Sequence, residues 1–229
     1  MEWIMLTLIA CGISKFVVAV SHLADQIREY FGRGERWRVD IDYSQGTAPA
    51  GKAGEIRRAR RLLPAGEEPF LVVPGDTIAH LDYRELLAFH RNHGGPVTIA
   101  FSTRYRLEVG TAEIGPDNRV EKFMEKENLG RPVSTGAYVL DGRIFAHIEE
   151  CAGQKGEIDL PGDVFPHLIK KGVPLYGFVR DYHWWDVGRI SDYEALLRLP
   201  PAELLQILTP GGNPEYARGG TAVNGEGEK

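Results

Sequence analysis

A chain of 229 residues with 27 basic and 32 acidic side chains, formal charge −5, can bury a large core in one domain and presents no general surface for polyanions, so nucleic acid is not an expected partner. No apolar run reaches the roughly 20 residues needed to cross a bilayer, so no membrane partner is expected. Two cysteines, Cys11 and Cys151, stand at no metal or redox spacing, which fits a reducing compartment and a cytoplasmic location.

The opening segment MEWIMLTLIACG lacks a basic leader, carries Glu2 and runs into a second apolar stretch, so it reads as a packed helix rather than a signal peptide. KFVVAV (15–20) is a continuous β-branched run, expected as a strand buried on both faces of a parallel sheet. HLADQIREYF (22–31) returns to helical spacing, with Leu23, Ile27 and Tyr30 on one face. RVDIDY (38–43) alternates as a strand, and a loop with Gly46, Pro49 and Gly51 leads into a helix over 53–63. FLVV (70–73) reads as a strand, 83–92 as a helix and VTIAF (97–101) as a strand, an alternation that argues for an α/β sheet with crossover helices.

The texture then changes. Residues 107–125 read as a hairpin around a Gly-Pro-Asp-Asn turn at 115–118. STGAYVL (134–140) is a strand, 141–151 a helix, and 161–172 a helix opened by Pro161. LYGFV (175–179) is a strand leading to Asp186, and DYEALLRL (192–199) a closing helix. From 209 to 229 the Gly-, Pro- and Asn-rich composition predicts a disordered tail.

Two aspartates carry the chemistry: Asp76 in PFLVVPGDT and Asp186 in YHWWDVG, each after an apolar run and beside a glycine. Carboxylates at the carboxyl ends of strands can reach a ligand. Two of them suggest a Mg2+ site for phosphate chemistry, since hard cations take carboxylate oxygens and keep positions open for substrate phosphates. The alternative is that Asp76 merely caps a turn and Asp186 pairs with an arginine. The seven histidines show no zinc-like spacing, so a transition-metal site is not expected, and no G-x-S-x-G elbow supports a hydrolase.

PFLVVPGD, VEKFMEK, STGAYVL, DLPGDVFPHL and WWDVGRISDYEAL, taken in that order, resemble the sugar-phosphate nucleotidyltransferases, and within them the mannose-1-phosphate guanylyltransferases and glucose-1-phosphate thymidylyltransferases. The resemblance runs from Met1 to about Leu199. It implies a three-layer α/β nucleotide-diphospho-sugar transferase fold with a mixed, mostly parallel sheet and an inserted hairpin. The implied reaction joins a nucleoside triphosphate to a sugar 1-phosphate and releases pyrophosphate. Asp76 and Asp186 would hold Mg2+, Lys126 the sugar phosphate and Glu125 sugar hydroxyls. Gly136 would bring backbone close to the sugar, Gly75 would adjoin the substrate beside Asp76, and Gly51 and Gly54 would lie against the nucleotide. Ser134 stands where the family usually has asparagine, and Lys52 stands in place of a threonine, where it either adds a phosphate contact or, the favoured reading, faces solvent. Trp184 and Trp185 are expected in the core.

The same resemblance implies a strand, a glycine-rich arginine loop and a lysine ahead of the first helix, whereas Met1 aligns inside that helix. The expectation is therefore a domain over 1–208 lacking its first strand and phosphate loop. A longer native chain, another chain that completes the sheet, or a catalytically silent sugar-nucleotide-binding homologue would each account for this. A glycosyltransferase is less favoured, since GDTIAHLD carries no Asp-x-Asp after the FLVV strand. Homo-oligomer formation, the base and the sugar are left open by the sequence.

Overall fold

The centre of the molecule is a strand with no polar face. In the computed structural model, which describes residues 1–200 apart from 47, 106–108, 154–155 and 189, Tyr138, Val139 and Leu140 are buried almost completely. Because side chains alternate across a strand, Ala137 and Val139 enter one core and Tyr138 and Leu140 the other.

The elements in chain order are α1 (Glu2–Ala10), β1 (Lys15–Val20), α2 (Ala24–Phe31), β2 (Asp40–Gln45), α3 (Gly51–Ala59), β3 (Pro69–Val72), β4 (Thr77–Ala79), α4 (Tyr83–His93), β5 (Val97–Ser102), β6 (Gly110–Ile114), β7 (Val120–Glu125), β8 (Val133–Asp141), α5 (Ile144–Ala152), α6 (Phe165–Lys170), β9 (Leu175–Arg180), β10 (Trp184–Asp186) and α7 (Ile190–Leu197). The main sheet has the order β3-β8-β5-β9. β8 is antiparallel to both β3 and β5, and β5 is parallel to β9, so three of the four strands run one way and β8 alone is reversed. This is the mixed, mostly parallel sheet expected.

One face of that sheet packs on α1 and α4 through Ile4, Leu8, Leu86 and Leu87. The other packs on α3, α5 and α6 through Ile56, Ile144, Ile148 and Leu168. Two helical layers around one sheet make the three-layer α/β architecture. Each fully buried leucine or isoleucine contributes roughly 1.5–3 kcal/mol relative to exposure.

β1 and β2 form a separate two-stranded parallel sheet in register from Lys15↔Asp40 to Val20↔Gln45. The expected burial of β1 on both faces is not found: only Val20 is fully buried, and Phe16, Val17 and Val18 are half exposed. Among the described residues β1 pairs only with β2 and β3 only with β8, so each keeps one edge of unpaired backbone groups. Phe16 packs against both the large core and a smaller one of Met5, Phe31, Val39 and Ile41, and so links the two sheets.

Other expectations shift in detail. α2 buries Ala24 and Phe31 with Ile27 half buried, whereas Leu23, in a left-handed conformation, and Tyr30 are exposed. The segment opened by Pro161 begins as a π-helical turn over Leu160–Val164 before α6. The hairpin is β6–β7, its turn closed by Asn118 N–H to the Gly115 carbonyl at 3.0 Å. The expected tail at 209–229, and the domain beyond residue 200, lie outside the described residues. No helix among the described residues is long and apolar enough to cross a membrane.

Candidate active site

A short ladder, too brief to show periodicity, brings the two aspartates together. β10 runs antiparallel to β4 with Asp186 opposite Thr77, and Val187 N–H donates to the Asp76 carbonyl at 2.8 Å. Asp76 thus does not end a strand of the main sheet; it follows the Pro74-Gly75 turn after β3 and leads into β4. Asp186 does not extend β9 but is the last residue of β10. Both side chains are exposed.

Neither carboxylate pairs with a side-chain cation among the described residues. The one side-chain hydrogen bond at Asp186 is from Gly188 N–H to Oδ1 at 3.2 Å, a local turn. Among the described residues Asp186 thus has no arginine partner of the kind that would have given it a purely structural role. Asp76, Gly75, Val187 and Gly188 form one wall of a cleft of about 540 Å³ whose opposite wall is Trp3 and Ile4 of α1. The Met1 α-amino group shares this cleft: burial pulls it below its ordinary value, and the Asp76 charge opposes that shift. Asp76 lines this cleft and Asp186 adjoins it through Val187 and Gly188; among the described residues neither has a side-chain counter-ion, and such exposed carboxylates offer the hard oxygens that Mg2+ takes.

Gly136, on β8, has φ +79°, and a Cβ there would stand 2.8 Å from Cγ of Pro74. The strand therefore passes directly beneath the Pro74-Gly75-Asp76 turn, and glycine is what the fold requires. The Lys52 ammonium lies 3.8 Å from the same point. Lys52 is exposed, as expected, and also reaches from the first turn of α3 to the base of the aspartate turn. Ser134 Oγ accepts a hydrogen bond from Gly136 N–H at 3.4 Å, so its hydroxyl lies at the same stretch of β8.

Gly75 differs from Gly136. Its φ is ordinary, and a Cβ would meet only the Met1 side chain, Cγ at 3.3 Å. Nothing in the protein's own packing demands glycine at 75.

At Gly51, φ is +73° and a Cβ would collide with the Ile158 carbonyl oxygen. The Ile158 carbonyl accepts Ala53 N–H at 3.0 Å and Gly54 N–H at 3.2 Å, while Ile158 N–H donates to the Ala50 carbonyl at 2.8 Å. The small residues of GKAG thus seat the start of α3 on the strand-like 158 segment, and Gly54 is buried.

Glu125 and Lys126 are exposed at the end of β7, with Lys126 at φ +52°. The Glu125 carboxylate lies 3.0 Å from where a Cβ of Gly110 would stand. The hairpin is tied to the aspartates through its base: Leu129 N–H donates to the Tyr105 carbonyl at 2.9 Å, and the Tyr105 ring stacks on Trp184 at 6.0 Å, two residues before Asp186. Trp184 and Trp185 are half buried against the first core, as expected, and the buried Trp184 Nε1 has no hydrogen-bond partner among the described residues.

A family profile described as nucleotidyl transferase matches residues 1–199. The chain belongs to the nucleotidyl transferase family. The chain is 31% identical over 228 residues to the UTP–glucose-1-phosphate uridylyltransferase of Synechocystis sp., covering 92% of this chain and 58% of that protein. It is 31% identical over 196 residues to the mannose-1-phosphate guanyltransferase of Eremothecium gossypii, covering 82% and 52%. The chain spans a little over half the length of these relatives. Two solved structures share its fold. A Bacillus anthracis protein in complex with sucrose superposes with a TM-score of 0.65 at 19% identity, over 85% of this chain and 79% of that one. HddC from Yersinia pseudotuberculosis, complexed with GMP-PN, does so with a TM-score of 0.59 at 22% identity, over 83% and 80%. The fold is thus that of the nucleotide-diphospho-sugar transferases.

Proposed function

We propose that this nucleotidyl transferase chain carries the site for transfer of a nucleotidyl group from a nucleoside triphosphate to a sugar 1-phosphate, releasing pyrophosphate. The observation that carries the reading is the Val187-to-Asp76 hydrogen bond, which joins the backbone of Asp76, on the cleft wall, to the residue after Asp186; among the described residues neither aspartate has a side-chain counter-ion. The names of the relatives, which act on glucose 1-phosphate and mannose 1-phosphate, support the substrate class.

In this reading the sugar-phosphate oxygen forms a new bond to the α-phosphorus as the bond to the leaving pyrophosphate breaks. The contribution of the protein is positioning and charge neutralisation. Asp76 and Asp186 would hold Mg2+, which neutralises phosphate oxygens when bound. Lys126 receives the sugar phosphate, Glu125 binds sugar hydroxyls, and Ser134 and Gly136 set the backbone of β8 against the sugar. Gly75 leaves room for substrate beside Asp76. Gly51 and Gly54 position α3, whose Lys52 adds positive charge at the turn. A cytoplasmic enzyme acting on these small molecules, able to assemble with like copies, completes the proposal.

The test is pyrophosphate release with Mg2+ across pairs of UTP, GTP or dTTP with glucose 1-phosphate or mannose 1-phosphate. Turnover with at least one pair, and a loss of about 10²-fold or more in Asp186→Asn, is the expected result. Turnover unchanged in that variant would sink the metal-holding role. Absence of turnover with every pair, alongside retained nucleotide-sugar binding, would favour a silent binding homologue.

A further inference from the structure

Glu150 gathers nitrogen donors from two helices. His147 and Glu150 stand one turn apart on α5, and His167 reaches across from α6. Glu150 Oε2 lies 3.3 Å from His147 Nδ1 and 2.7 Å from His167 Nε2, and the three atoms are all within 4.8 Å of one another. The Lys171 ammonium is 2.7 Å from the same oxygen, so the position already draws positive charge. None of these residues belongs to the aspartate cleft. The spacing hides the group, because His167 is 17 residues from Glu150 and only the packing of α6 on α5 unites them.

We propose that His147, Glu150 and His167 form a second metal site, distinct from the aspartate pair, that takes a borderline divalent transition-metal cation such as Zn2+ and pins α5 to α6. Two neutral imidazoles and one carboxylate are a donor set for Zn2+, Ni2+ or Co2+, whereas Mg2+ takes oxygens. Metal–donor bonds of about 2.0–2.1 Å place tetrahedral ligand atoms roughly 3.3 Å apart, near the spacing already present. His147 and His167 side chains are 20% and 27% exposed and Glu150 42%, so the group is reachable from solvent and leaves a fourth position for water. The divalent ion displaces the Lys171 ammonium from Oε2. Because the three side chains sit on helices already packed together, little ordering is required on binding.

Calorimetric titration of Zn2+ into the full chain, with Mg2+ present to occupy the aspartates, tests the site. The expected result is saturable Zn2+ binding weakened about tenfold or more in His147→Ala and in His167→Ala, and also in the near-isosteric Glu150→Gln. Melting curves of the metal-free variants that match the parent establish that each is folded. No saturable binding, or binding that any of the three variants leaves unchanged, overturns the proposal.

Discussion

At the scale of single residues, the two glycines around Asp76 separate a requirement of the fold from a requirement of the ligand. Gly136→Ala places a Cβ 2.8 Å from Pro74 on a backbone at φ +79°, so a fall in thermal midpoint is expected. Gly75→Ala meets only a flexible methionine side chain, so its melting curve should match the parent while pyrophosphate release falls. Equal melting of both variants would contradict the geometry. His90 offers a second residue-level prediction. Gly95 N–H donates to His93 Nδ1, which leaves His93 Nε2–H to donate to Thr98 Oγ1 and the Thr98 hydroxyl to donate to His90 Nδ1. This chain holds both imidazoles neutral. Burial first, then the nearby His93, and more weakly Arg143 and Arg91, lower the His90 pKa to about 4, and Asp141 opposes them. The unfolded chain takes up that proton near the ordinary 6.5, so unfolding binds a proton between these values, and stability falls as pH drops from about 6.5 to about 4. The loss is on the order of 2–3 kcal/mol. Urea titrations of parent and His90→Gln should show this slope in the parent and its reduction in the variant.

At the scale of elements, what the sequence made legible follows from length and pattern. The strands around 15–20, 70–73, 97–101, 134–140 and 175–179 and the helix over 83–92 all appear, because their apolar runs were long enough to carry a period. α4 is also marked at both ends, by Asp82 accepting Arg84 N–H at 2.9 Å and by Gly94 in a left-handed cap. β4 and β10 were not legible. Three residues carry no period, and their pairing joins segments over 100 residues apart, yet that ladder is what brings Asp76 to Asp186. The face of α2 was misjudged for a different reason: Leu23 sits before the helix in a left-handed conformation, which rotates the buried stripe to Ala24 and Phe31. The contexts of Asp76, Asp186 and Gly136 make them candidates from sequence, whereas the reach of Lys52 toward Gly136 depends on how Ile158 seats the start of α3.

At the scale of the whole molecule, the fold is one four-stranded sheet between two helical layers with a second, two-stranded parallel sheet joined to it through Phe16 and the small core. The free edges of β1 and β3 present backbone donors and acceptors that water satisfies only while nothing better competes. A β-branched strand such as KFVVAV, half exposed and unpaired on one side, is what an identical strand from a neighbouring copy would complement. Light scattering across roughly a hundredfold range of protein concentration should therefore show growth in particle size at the upper end; a constant size throughout would remove the idea. If the edge of β1 that is unpaired among the described residues is open, association becomes a property of the population rather than of the molecule: the share of this protein present as separate particles would follow how far apart they are kept.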